Sequence, residues 1–554
     1  MTRPPPSVTQ PGMLRQAGRG IGWAAALIGS ITVVARVVGF GRQLVFAHTV
    51  GSYCLGTAYT TANQVPNIIY DIVLGGALTS AVVPVLAAAA TRRGLRGAPA
   101  GAAEEADAEA SQIASALLTW TVLLLAPVSV VIALAARPLA TLLLAGVPRC
   151  QQAAAITVST HMLVVFAPQV LLYGLAVVLY GILQAHRRFT APALAPVVSS
   201  LVVIAAYLAF VPLGAAYRNN LADLPLSAEL VLAAGTTAGV AALTLTALGP
   251  AMRLRLRLRP SLRFPPGVAQ RVRSLAAVGV ATLVAQNASL VAVIVLANSH
   301  QGGGAVVLYN YGWQMFFVPY AVLAVPIATS MFPELSASDG PGFDRTAASS
   351  TRAAMLVSWL GAALLAGAAL PAARLFVTHP AHVRQLAITF AAFAPGLVGF
   401  GLAAGLSRVL FASKRSRLAA IALVGGWLVV IAVDVAVVPQ VPARWVVPML
   451  ALGNTVGLTC AGIGLLLAVR ATRGPAALAG SGRAAGAGLA GAVTGAAAGA
   501  LVSASLQVTG FLPNACVTLL ACATAAAVFA AAVLMLDGGD LRAVAARAAG
   551  RWFR

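Results

Sequence analysis

Apolar runs of helix-spanning length recur from one end of the chain to the other, and no other feature restricts its fold as much. A bilayer core is crossed by a helix of about 20 mostly apolar residues. Runs bounded by charged or Pro/Gly-rich segments fall at 22–47, 57–89, 111–136, 156–185, 191–212, 229–250, 274–297, 305–334, 353–373, 383–411, 418–438, 445–469, 486–507 and 513–536. In hydrocarbon every backbone N–H and C=O needs an internal partner, so only helices and closed barrels span. A barrel strand alternates polar and apolar residues and does not give such runs. Only 9% of the 554 residues are charged and 60% are hydrophobic, against about 25% charged in a soluble domain. These features exclude a soluble enzyme, a disordered chain and a protein held by a single anchor. They predict an all-α polytopic membrane protein of about 14 transmembrane helices.

The net charge of +23 would suggest nucleic acid in a soluble protein. Here its distribution sets topology instead. With the N-terminus inside, 27 of the 36 Lys and Arg residues fall in inside segments and six in outside ones, the asymmetry expected of cytoplasmic loops. Both termini are then cytoplasmic, in a bacterial cytoplasmic membrane. The alternating run Arg253-Leu-Arg-Leu-Arg-Leu-Arg259 suits a linker lying on anionic headgroups. The five cysteines show no CxxC spacing and sit mostly in apolar runs, so they read as small apolar packing residues.

Residues 166–188 and 393–415 align without a gap, with ten identities that include Phe166/Phe393, Ala167/Ala394, Pro168/Pro395, Gly174/Gly401 and Arg188/Arg415. A weaker echo pairs Thr79-Ser80…Pro84 with Thr329-Ser330…Pro333. Both matches lie six helices apart, so the copies share one orientation, as in transporters built from parallel repeats. The expected organisation is a flexible tail at 1–20, a six-helix lobe at 21–250, a basic interfacial linker at 251–273 and a second six-helix lobe at 274–470. Two further helices at 471–538 and a basic tail at 539–554 complete it, with an interfacial piece at 137–147.

Catalytic signatures are missing. The one lysine, Lys414, has no glycine loop, and no histidine sits in HExxH, so neither a Walker A site nor that zinc motif is present. The chain reads as a non-enzyme with no metal site and no organic cofactor. Ionisable residues inside spans are costly, and they mark cavities and pathways. Arg36 and Arg42 lie about 9 Å apart along one helix at ~1.5 Å per residue, with Gly39 and Gly41 between them offering a bend. A guanidinium pair there suits bidentate capture of phosphate. Arg408, near the inside end of its span, reads as a snorkelling residue. The second span carries Asn63, Gln64, Asn67 and Asp71 beside Pro66 and Gly75-Gly76, which is too polar for a lipid-facing helix. Asp71 is a partner for Arg36 or for a coupling cation. Asn310 and Gln314 are similar candidates in the eighth span, where Pro319, Pro326 and Pro333 suggest kinks. Asp434, with Asn454 and Thr455, is a candidate site for Na+ or H+.

The stretch Arg36-Val-Val-Gly-Phe-Gly-Arg42, then Gly51, Val65-Pro66-Asn67 and Ala81-Val-Val-Pro84, resembles the N-terminal signature of the MurJ/MviN family. The segment Phe166-Ala-Pro168…Arg188-Phe189…Pro192…Ala195-Pro196 agrees with it. The resemblance implies a lipid II flippase working by alternating access around a central cationic cavity. Arg36 and Arg42 would contact the pyrophosphate of the lipid carrier, and the membrane potential or an ion gradient would drive transport. It also implies a lipid-linked sugar pyrophosphate as substrate and membrane lipids and cell-wall synthesis proteins as partners, with no nucleic acid. The chain departs from the family at Thr57, where an acid is frequent, and at Tyr70 and Gln314, where arginines are. The alternatives are export of another polyprenyl-linked saccharide and a non-transporting scaffold for wall synthesis.

Overall fold

The computed structural model describes residues 11–72, 102–147, 150–186, 188–254, 259–263, 268–327, 335 and 340–552. The Gly75-Gly76 pair, the Ala81–Pro84 motif and both members of the Thr-Ser…Pro echo lie outside them.

Every long element described is a helix. The first half contains α1 (Pro11–Thr49), α2 (Cys54–Ile72), α3 (Ala102–Leu134), α4 (Ala136–Leu143), α5 (Gln152–Phe166), α6 (Gln169–Ala185), α7 (Thr190–Gly214) and α8 (Leu226–Met252). The second contains α9 (Val268–His300), α10 (Ala305–Pro319), α11 (Gly340–Gly367), α12 (Ala369–Phe376), α13 (Pro380–Phe393), α14 (Gly396–Ala412), α15 (Ser416–Val437) and α16 (Val446–Arg473). Helices α17 (Ser481–Ser505) and α18 (Phe511–Trp552) follow. Twelve segments among the described residues are long and apolar enough to span a membrane. The second and eighth of the fourteen expected spans are the two cut by residues outside the description.

The repeat is visible in the backbone. Each copy breaks at its Ala-Pro pair and restarts as a helix of 17 residues, Gln169–Ala185 and Gly396–Ala412, offset by 227 positions like the sequences. Proline has no N–H to give the preceding turn, so the helix is interrupted where Pro168 and Pro395 stand. What reads as one span in each copy is therefore two helical segments. Beyond Pro319 the chain makes a π-helical turn over Tyr320–Ala324, a kink of the type expected at that proline.

Some boundaries differ from expectation. Helix α1 starts at Pro11, within the stretch read as a tail, and runs through Gly39 and Gly41 without a break. Helix α18 passes Asp537, whose backbone is non-helical (φ −150°, ψ 56°), and continues to Trp552. Asp537 is buried there and pairs with Arg483 at 2.8 Å. The linker is docked as well: the Arg259 and Ser261 amides donate to Ser115 Oγ and Thr119 Oγ1 of α3, both at 3.1 Å.

Small residues let the helices approach. On α17, Gly491, Gly495 and Gly499 recur every fourth residue, and a Cβ at Gly495 would stand 2.7 Å from the Ala525 carbonyl oxygen of α18. Such small-residue stripes bring backbones together where lipid offers no hydrophobic drive. Large apolar side chains such as Leu134, Leu501, Leu512 and Met535 are more than two-thirds exposed, as a lipid-facing surface requires.

The cysteine expectation needs correcting. Cys54 and Cys150 form a disulfide, while Cys460, Cys516 and Cys522 are free. Proximity across 96 positions leaves no trace in local spacing. The bridge ties the start of α2 to the segment before α5, at the end of the bundle that also carries the 301–304 turn. This is the disulfide end; the opposite end holds the arginine-rich segments. Gly303 packs on the bridge, where a Cβ would lie 2.9 Å from Cys150 Sγ. Gly304 adopts φ +88°, and its amide donates to Thr57 Oγ1 at 2.7 Å. Asn298 donates to Thr61 Oγ1 at 3.2 Å and to the Leu143 carbonyl at 2.8 Å. These bonds join the two halves and close the bundle at the disulfide end.

Candidate functional site

Below that closure lies a cavity of about 170 Å³ between the halves. Helix α2 presents Thr60, Asn63, Gln64 and Asn67 to it, the three-and-four spacing of a single helical face. Helix α10 presents Val307, Asn310, Tyr311 and Gln314 in the same rhythm, and α1 contributes Arg42, Gln43 and Phe46. Tyr59, Tyr173, Tyr207 and Thr236 complete the polar wall.

The wall is internally bonded. Tyr59 Oη lies 2.8 Å from both Tyr207 Oη and Thr236 Oγ1. Tyr173 Oη donates to Asn67 Oδ1 at 3.2 Å, and the Tyr173 ring stacks on Tyr70 with centroids 4.3 Å apart. Gln64 Nε2 donates to Asn310 Oδ1 at 3.2 Å, crossing from one half to the other. Asn63 Oδ1 is buried without a hydrogen-bond partner, a position that a ligand donor satisfies.

Arg42 is the only charged residue among the described lining residues, and no described carboxylate pairs with it. A guanidinium offers a fixed fork of donors for phosphate oxygens. Carboxamides and phenols supply both donors and acceptors for hydroxyl and amide groups. The site is thus built for an anion joined to a polar, uncharged, hydrogen-bonding body. Ligand pockets for small molecules run about 300–1,000 Å³, so this conformer is too closed for a large headgroup, and α2 and α10 must part to admit one.

Of the substrate-site candidates, Arg42, Asn67 and Gln314 line the cavity. Arg36 does not; it is exposed on α1, further toward the arginine-rich end. Asp71 is half-buried one turn beyond Asn67, outside the lining and without an ion pair to Arg36. Arg408 bonds its own Ala404 carbonyl at 3.1 Å.

The three cation candidates form a separate cluster in the second half. Asp434 is 1% exposed, and neither carboxyl oxygen has a hydrogen-bond partner. Its Oδ1 occupies the space above Gly453 that a side chain would fill. Asn454 is engaged by Tyr309 Oη at 2.7 Å and Thr455 by the Ala392 carbonyl at 2.6 Å. Tyr309 is the neighbour of Asn310, so α10 touches this cluster and the cavity with adjacent residues. No group of three His, Cys, Asp or Glu residues among the described ones is placed to hold a metal ion.

Sequence reasoning missed the tyrosines. Tyr59, Tyr173 and Tyr207 lie on three different helices and share no motif. Their one signal is a phenol in an otherwise apolar span, since a buried Tyr O–H needs a partner.

The family model described as lipid II flippase MurJ matches residues 46–534. A lipid II flippase MurJ from Burkholderia cenocepacia is 26% identical over 316 residues, which is 56% of this chain and 56% of that protein. The chain thus spans little more than half the length of that curated relative. In three dimensions it is similar to a lipid II flippase MurJ in an inward closed conformation, with a TM-score of 0.68 at 16% identity over 91% of this chain and 98% of that one. It is also similar to an inward-facing multidrug resistance MATE transporter of the MOP superfamily, with a TM-score of 0.61 at 14% identity, covering 80% of this chain and 95% of the other.

Proposed function

The chain belongs to the MurJ family of lipid II flippases, and from that premise we propose that it moves lipid-linked peptidoglycan precursor across the cytoplasmic membrane. The observation that carries this reading is the cavity between the two halves, with Arg42 facing a wall of carboxamides and phenols. Arg42 grips the pyrophosphate of the lipid carrier, and Asn63, Gln64, Asn67, Asn310 and Gln314 hold the uncharged sugar and amide groups. Arg36, nearer the arginine-rich end, meets the diphosphate first and passes it to Arg42. Asp71 stands at the same threshold.

The arginine-rich end is cytoplasmic, with both termini there. Two independent features support this: the basic bias of those segments and the disulfide at the opposite end, since disulfides persist outside the reducing cytoplasm. The closure at Thr57–Gly304 and Asn298–Thr61 is then the outer gate. Transport alternates between breaking this gate and resealing the cytoplasmic side, with no bond of the substrate made or broken. Enzymes that polymerise the wall outside are the natural partners that consume the product.

A cation drives the cycle at Asp434. An ionised carboxylate buried without a partner is costly, and H+ or Na+ neutralises it. Adjacent Tyr309 and Asn310 connect that event to the cavity through α10.

The test is depletion of the protein in its host with mass spectrometry of lipid-linked precursors. Inner-leaflet lipid II accumulates and falls again on expression of the wild type, but not of Arg42→Ala at equal protein level. Accumulation of a different polyprenyl-linked glycan overturns the cargo. Rescue by Arg42→Ala overturns the grip.

A further inference from the structure

A second, larger cavity opens at the disulfide end, away from the central one. Its volume is about 670 Å³. It lies where the end of α1, the α12–α13 turn and the α17–α18 turn meet. Its described ionisable lining residues are Arg374, Arg384 and His48, and no described carboxylate lines it. Neither arginine is engaged in an ion pair among the described residues. The sequence places only six Lys or Arg residues in outside segments, and two of them line this cavity.

The backbone adds to the positive field. Helices α13 and α18 both begin at this cavity, at Pro380 and Phe511. Helix N-termini present free N–H groups and the positive end of the dipole. Asn514 also lines the cavity and is 3% exposed. Its amide nitrogen donates to the Val508 and Gly510 carbonyls, at 3.3 and 2.7 Å, which leaves the buried Oδ1 without a partner. A buried acceptor left bare is costly, and a hydroxyl donor from a ligand satisfies it. Leu370, Val377 and Phe511 supply apolar wall beside these groups.

We infer that this cavity binds the phosphate headgroup of a lipid: the phosphate between Arg374 and Arg384, a headgroup hydroxyl on Asn514 and the first methylenes against Leu370, Val377 and Phe511. Two lipids present that chemistry, an anionic glycerophospholipid of the outer leaflet and the polyprenyl diphosphate sugar released after transport. The binding chemistry stands apart from the proposed cargo; only its outer-leaflet placement rests on the orientation given above.

The test uses the full-length protein in neutral detergent and native mass spectrometry. The probes are phosphatidylglycerol and a polyprenyl diphosphate, with phosphatidylcholine as the control. Wild type retains phosphatidylglycerol at least tenfold over phosphatidylcholine, and Arg42→Ala, with the central grip removed, retains the diphosphate likewise; adding Arg374→Gln/Arg384→Gln in each background removes the preference. Because Arg384 is exposed, Arg384→Gln alone leaves the fold intact and lowers retention at least threefold, and Arg384→Lys restores part of it. Selective loss of the diphosphate assigns an exit site for released cargo; equal loss of both assigns a resident phospholipid. The inference is overturned if the variants hold both anionic lipids as the wild type does, or if phosphatidylcholine competes equally. Arg42→Ala, which breaks the central site, leaves phosphatidylglycerol retention unchanged and lowers only the part of the diphosphate signal that the central cavity holds, so failure here and failure of the flippase reading are separable.

Discussion

Gln64 of α2 and Asn310 of α10 are hydrogen-bonded at 3.2 Å across the central cavity, the one side-chain bond there, among the described residues, that joins the first half of the molecule to the second. Any opening that parts α2 from α10 breaks it. A neutral hydrogen bond contributes about 0.5–1.5 kcal/mol net, so the link biases the closed conformer without locking it. Asn310→Ala is expected to raise the open fraction by about fivefold, the equivalent of ~1 kcal/mol. Thr57→Val acts more strongly, because it strands the buried Gly304 amide at a cost of about 1–3 kcal/mol. Spin-label distances between the disulfide ends of the two halves measure both. An unchanged distance distribution in Thr57→Val would show that this bond is no part of the gate.

The two arginines of α1 should separate kinetically. Arg42 lines the closed cavity, whereas Arg36 is exposed outside it. A charged hydrogen bond is worth about 1.5–3 kcal/mol, so Arg42→Ala should slow turnover in a reconstituted flipping assay by about 10- to 100-fold at saturating lipid. Arg36→Ala should raise the lipid concentration needed for half-maximal flux and leave saturated turnover closer to wild type. The opposite pattern would place the tight grip at Arg36.

The helical architecture was legible because the bilayer leaves the backbone so few solutions. Apolar length alone located the spans, and the 227-residue repeat marked two equivalent segments; that each breaks at its proline, Pro168 and Pro395, emerged only in the fold. Arg42, Asn67 and Gln314 were legible because polar groups are rare inside apolar runs. The contacts that complete the site were not. Tyr59, Tyr207 and Thr236 meet through long-range packing, and no sequence period encodes it. The cysteines misled for the same reason: Cys54 and Cys150 sit at different helix starts and become a pair only in the folded bundle.

Asp434 gives a prediction about coupling. Asp434→Asn keeps the shape over Gly453 and removes the charge, so folding should be retained while flux loses its dependence on the imposed cation gradient. Gly453→Ala drives a methyl group into the carboxyl oxygen, and overpacking of this kind costs about 1–3 kcal/mol. Its signature is a lower melting temperature with the gradient dependence of any surviving flux preserved. A gradient response in Asp434→Asn equal to wild type would remove Asp434 from coupling.

The Cys54–Cys150 bridge tests orientation and gate together. In the chain-entropy model, bridging a loop of about 100 residues stabilises by ~4–5 kcal/mol; helices already confined by a bilayer have less freedom to lose, so the effect here should be smaller. Cys54→Ser/Cys150→Ser is therefore expected to fold, with a reduced melting temperature and a looser seat for Gly303. In the wild type, alkylation under denaturing, non-reducing conditions should modify the three free cysteines, Cys460, Cys516 and Cys522, and leave the bridged pair untouched. Treating intact cells with a membrane-impermeant reductant before alkylation should add two labels. That gain requires the disulfide end to face outward. If all five cysteines are labelled without any reductant, the pair is held as thiols, and the outward placement of this end loses its independent support. The outer-gate assignment would then rest on the arginine distribution alone.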